Sequence, residues 1–169
     1  MDMMKDRLQQ RQISLCANFE AAARPYTDDL TLYKHTNCYS YALGLPQLGI
    51  AVPGSLASSG QIYPYMFTAE HMRKLMAEDG LIEIDHDALA QSNTQVIGLV
   101  IKEYLSGHFL KYHQDGTWSQ QDGYGGQITN RDCANQIITD LREANLGYYD
   151  AFIGYFKVPD TGLHFIPRI

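Results

Sequence analysis

The run Asn37-Cys38-Tyr39-Ser40-Tyr41-Ala42 sets a thiol at the start of a short apolar stretch. The stretch, residues 37 to 45, reads as a buried helix with Asn37 near its N-cap and Gly44 or Pro46 ending it. A thiol there faces free backbone N–H groups and the positive end of the helix dipole, both of which favour the thiolate. The same amides can hold the oxyanion of an acyl-transfer intermediate. The position equally suits a small cysteine packed in an apolar helix. If the thiol is activated, alkylation of Cys38 should persist below the ordinary thiol pKa of about 8.5.

A thiol nucleophile needs a base. Of six histidines, His108 follows Ser106-Gly107 and opens a β-rich run, where backbone hydrogen bonds can aim the ring at a thiol from another element. His113 lies on the opposite face of a regular strand and reads as a satisfied or exposed residue beside a turn. His35, three residues before Cys38, is the rival base. His71, His86 and His164 have no partner that the sequence supports. A third polar group should orient the imidazole. Gln120 and Gln121 stand on the return arm of a hairpin turned by Asp115-Gly116. Counting across a two-residue turn puts Gln121 on the His108 face, and Gln120 needs a bulge to reach it.

Positioning these groups takes helices first and strands after. Leu8, Leu15, Cys16, Phe19 and Ala22 recur at helical spacing over residues 5 to 23. The loop from Gln47 to Tyr65 lacks periodicity and is long for a compact domain, which suggests a functional flap. A helix follows over Thr68 to Glu78, with Thr68 as N-cap and Gly80 as C′. Strands are expected at 81–85, 95–104, 108–114, 117–121 and 148–159, with a helix ending at Gly147 between the last two. The order gives an α+β fold in one domain spanning 1–169, with an N-terminal helix in 1–24 and a long neutral loop at 46–66.

Composition narrows the function classes. The chain has 169 residues, 45% hydrophobic and 19% charged, enough for a core of its own. A net charge of −6 without clustered Lys and Arg argues against nucleic acid as a partner. Three widely spaced cysteines supply neither a disulfide scaffold nor a Cys-x-x-Cys zinc site. His35 with Cys38 makes half a metal site, so no metal is expected. Gly123-Tyr124-Gly125-Gly126 lacks a following helix and lysine and reads as a turn rather than a phosphate loop. The stretch from His35 to Ala69 has no charged residue, but prolines and glycines break it too often for a membrane span. The polar N-terminus shows no secretory signal, which points to the cytoplasm or to export without a classical signal peptide.

Taken together, these residues resemble the NlpC/P60 branch of papain-like cysteine peptidases and amidases. In that family a Tyr, usually in a Pro-Tyr pair, precedes the nucleophilic Cys by about a dozen residues, as Pro25-Tyr26 precedes Cys38. The family's His stands at a strand start and a polar third residue follows about twelve later, which matches His108 and Gln120 and selects Gln120 over Gln121. The hairpin run His108 to Gln120 and the final strand also resemble a group of uncharacterised bacterial proteins. Thr27-Asp28-Asp29 stands where the family has Trp-Gly-Gly, and Asn37-Cys38-Tyr39 where it has Asp-Cys-Ser. These departures, with the long loop, imply an acyl substrate other than the family's.

The resemblance implies a papain-like fold, with the nucleophile helix packed on a small antiparallel sheet. It implies a cysteine hydrolase or acyltransferase acting on an amide bond, as peptidase or amidase. Cys38 would attack, His108 act as base and Gln120 orient it, with Tyr26, Asn37 and Tyr39 as substrate or oxyanion contacts. Such chemistry calls for no cofactor, and its partner would be a peptide, a peptidoglycan fragment or a protein. Two other functions suit the same residues. One is a deamidase or transglutaminase-type bacterial effector. The other is a non-catalytic module on a decayed peptidase fold, with twelve Tyr and one Trp as a recognition surface.

Overall fold

The computed structural model describes residues 25–56 and 61–164; the helix expected over 5–23 lies outside them. Helix α1 (Cys38–Leu43) and helix α2 (Ala69–Glu78) precede a six-stranded antiparallel sheet. The strands are β1 (Ile82–Ile84), β2 (Val96–Lys102), β3 (Ser106–Tyr112), β4 (Trp118–Gln121), β5 (Ile128–Thr129) and β6 (Ala151–Lys157). Their order is β1-β6-β2-β3-β4-β5, so the last strand of the chain inserts between β1 and β2. The α+β class expected from the sequence is the one observed. Among the described residues no helix is long and apolar enough to cross a membrane.

Strand β2 reads Val-Ile-Gly-Leu-Val-Ile without alternation because both of its faces are covered. Ile97, Leu99 and Ile101 join Phe109 and Phe156 under α1 and α2, with Tyr39, Leu43, Met72 and Met76. Val96 and Val100 face the other way, into a second core with Leu110, Trp118, Ile138 and Leu141. Gly98 lies on that second face, and a Cβ there would come within 2.1 Å of the Leu141 side chain.

Both helices are capped by the residues their sequence suggested. The Asn37 side chain accepts from Ser40 N–H, and Gly44 closes α1 at φ +69°. Thr68 caps α2, and Gly80 follows at φ +98°. The loop after α1 departs from expectation. Ala51 N–H and C=O bond the Asn37 side chain, and the Asp79 carboxylate accepts from the amides of Gly54 and Leu56. Residues 51–56 are therefore a fixed part of the core, not a flap.

Two further expectations fail for local reasons. The β3–β4 connection is a three-residue loop, Gln114 to Gly116, rather than a two-residue turn. His113 N–H donates to Thr117 O, Gly116 N–H donates to His113 O, and Gly116 takes φ +88°. The helix expected before Gly147 is absent, because aspartates take the backbone amides for themselves. Asp132 accepts from the N–H groups of Ala134, Gln136 and Asn145, and Asp140 from that of Arg142. Such local bonds compete directly with the helical ladder.

Candidate active site

The register of β3 on β4 decides how the site is assembled. Lys111 pairs with Ser119 and Tyr112 with Trp118. The extra loop residue thus supplies the one-position shift that the two-residue count lacked. Gln120 comes onto the His108 face, and its Oε1 lies 2.8 Å from His108 Nε2. Gln120 Nε2 donates to Arg131 O at 3.1 Å, which orients the amide with Oε1 toward the ring. His108 Nε2 therefore carries the proton, and Nδ1 keeps a lone pair. Gln121, fully buried, goes elsewhere. It accepts from Thr36 Oγ1 and donates to Tyr33 O and Gly126 O.

Cys38 is tied to β3 at the residue after His108. The His113–Thr117 hydrogen bond sets the alternation along β3, so the amides of 113, 111 and 109 point toward β4. At Phe109 the return strand has already turned away, since the β3–β4 pairing ends at Lys111 and Ser119. The Phe109 N–H, next in the chain to His108, bonds the Cys38 sulfur. The amides of Cys38 and Tyr39 face the sulfur as well. They are open because the Asn37 cap takes Ser40 N–H and leaves the first two amides of the helix unpaired.

Burial dominates the electrostatics. His108 is 5% exposed, and desolvation lowers its pKa against the opposing Gln120 bond and the Asp122 carboxylate. Desolvation raises the pKa of Cys38, Asp122 raises it further, and the three amides only partly offset this. Both shifts favour the uncharged forms, a neutral thiol at Cys38 and a neutral imidazole at His108. At Cys38 desolvation thus outweighs the amides that the sequence suggested would favour the thiolate.

Three proposed substrate contacts have other work. Asn37 spends its carboxamide on capping α1 and holding Ala51. Tyr39 is 1% exposed, packs its ring at a 45° tilt 4.6 Å from that of Phe109 and donates to Asp79 Oδ2 at 2.6 Å. Its side chain is a core element, and only its backbone amide faces the thiol. Tyr26 packs with Tyr33, Tyr41 and Ile128 and meets the His113 ring edge-on at 6.0 Å. The tyrosine at the site is instead Tyr149. Its ring stacks on His108 at 5.2 Å with a 16° tilt, its phenol bonds the Ser106 side chain, and it lies within the field of Cys38. Tyr148-Tyr149 carried no signal in the sequence beyond the start of a strand, and the turn Tyr149 N–H to Leu146 O brings it in.

The remaining histidines stand apart from this centre. His35, the rival base, is exposed and bonds Tyr124 OH at 3.0 Å. His113 is buried, with Nε2 2.6 Å from Ser119 Oγ. Among the described residues no group of three His, Cys, Asp or Glu side chains is arranged to hold a metal ion. No protein-family model matches the chain, and no curated protein or solved structure matches it either.

Proposed function

We propose that the chain is a cysteine hydrolase or acyltransferase acting on an amide bond, with a papain-like arrangement of Cys38, His108 and Gln120. The observation that carries the reading is the His108–Gln120 bond of 2.8 Å, with the amide of the next residue, Phe109, bonded to the Cys38 thiol. Gln120 holds the proton on Nε2, so Nδ1 is free to take the thiol proton as sulfur attacks the carbonyl carbon. The oxyanion forms at the open amides of α1. Nδ1–H then protonates the leaving nitrogen as the C–N bond breaks, and the thioester passes its acyl group to water or another acceptor. His108 acts here as a base during attack, not as a partner in a preformed ion pair.

Acylation by p-nitrophenyl acetate, located by peptide mass spectrometry, tests this. Cys38 should acylate faster than exposed Cys133, and His108→Ala should slow it by about 100-fold or more. Burial of His108 favours the rival reading, a non-catalytic module. Cys38 acylation no faster than that of Cys133, and indifferent to His108→Ala, would establish the module instead.

A further inference from the structure

Asp122 has no task in the chemistry above. It follows Gln121 at the end of β4, and its N–H continues the β4–β5 ladder by donating to Gln127 O, so it shares the face of Gln120. Gln120, two residues back on the same face, already touches the His108 ring. The turn behind Asp122 is clamped on both sides. Asp122 N–H donates to Gln127 O at 3.3 Å, and Gly125 N–H donates at 2.8 Å to Thr36 O, two residues before Cys38. Only glycine fits at 126, where a Cβ would sit 1.5 Å from the Asp122 carbonyl oxygen. The turn that follows Asp122 is thus held against the residues just before Cys38.

The carboxylate is exposed and forms no ion pair among the described residues. It acts on Cys38, His108 and Tyr149 alike. Its sign opposes the thiolate that attack requires. That opposition disappears when a cation pairs with the carboxylate. We infer that Asp122 selects substrates carrying an ammonium or guanidinium next to the scissile carbonyl, and that the bound cation eases attack by Cys38. The inference rests on the hydrolase reading, and its test separates the two.

The first arm reads the field at the sulfur without turnover. Cys38 is reacted at one near-neutral pH with 2-aminoethyl methanethiosulfonate, a cation, and with the anionic 2-sulfonatoethyl reagent. Each transfers its thioalkyl group to the thiolate and expels methanesulfinate. The cation-to-anion rate ratio at Cys38 should exceed that at Cys133 by about three- to tenfold, the size expected of one partly screened charge. Asp122→Asn should bring the ratio down to that of Cys133. A ratio that the substitution leaves unchanged overturns the inference. The second arm compares peptide amides with arginine or neutral citrulline next to the scissile carbonyl. The wild type should prefer arginine in kcat/KM, and Asp122→Asn should lose the preference while still cleaving the citrulline peptide. Turnover with a preference that ignores Asp122 overturns the inference alone. An Asp122-dependent reagent ratio with neither peptide cleaved overturns the hydrolase reading, and the substrate class with it.

Discussion

At His108 the sign of the pH dependence follows from burial. Its folded pKa lies below the ordinary 6.5, so the unfolded chain binds the proton more tightly. Stability is unaffected above that value and falls as pH drops below it. Acylation at Cys38 should rise through the same lowered pKa, since attack needs the lone pair on Nδ1, and rise again only where the raised thiol ionises. The two neighbouring glutamines separate orientation from packing. Gln120→Leu should slow acylation by about tenfold or more with little loss of stability, since Gln120 is partly exposed. Gln121→Leu should cost about 1–3 kcal/mol in urea unfolding, because it removes three side-chain hydrogen bonds and leaves buried Thr36 Oγ1 and Tyr33 O only each other. Reversed effects would place the orienting group at Gln121. The pair was distinguishable in sequence only through family spacing, since the loop geometry that settles it is one residue longer than Asp-Gly suggests.

At the level of elements, β3 carries a cost that the dyad does not explain. Lys111, 4% exposed, lies between the rings of Tyr33 and Tyr41, at 5.4 and 5.5 Å, with Tyr33 OH at 3.3 Å from its Nζ. Burial pushes its pKa down to about 8. A cation with a depressed folded pKa costs stability below that value and regains it as pH rises toward 10.5. Lys111→Met should therefore raise the unfolding free energy at pH 7 by about 3 kcal/mol, the equivalent of the shift. The gain should vanish in unfolding measurements near pH 10.5. A destabilised variant at neutral pH would mean that the aromatic box more than offsets desolvation. The caps of α1 and α2 were legible in Asn37, Gly44, Thr68 and Gly80, because capping is a local bond between a side chain and the next turn. The stretch before Gly147 misled for the same reason. Its apolar spacing reads as helix, yet Asp132 and Asp140 hold its amides in turns.

Across the whole molecule, β2 is the axis. It pairs with β6 on one side and β3 on the other, and both of its faces are buried. Its amides should exchange hydrogen only through global unfolding, while the irregular segment 130–147 opens locally. Exchange followed by mass spectrometry should show 96–102 as the slowest peptide. Equal rates in the two segments would mean that the second face is not a stable core. Since α1 and β3 are held by the same core, loss of the β2 lattice should also disperse Cys38 and His108.

The sequence by itself determined the starts of α1 and α2, the runs of β1 to β4 and of β6, the α+β order and the residue types at the site. All of these rest on contacts between near neighbours in the chain, or on burial patterns of period two or near four. Tertiary structure decided that Tyr149 stacks on His108, and that a three-residue loop brings Gln120 to the ring where residue counting across Asp-Gly pointed to Gln121. It also decided that Asn37 and Tyr39 support the frame. These outcomes turn on register, on the parting of β4 from β3, and on the depth of burial. Each depends on residues far apart in the chain, so no local pattern encodes it.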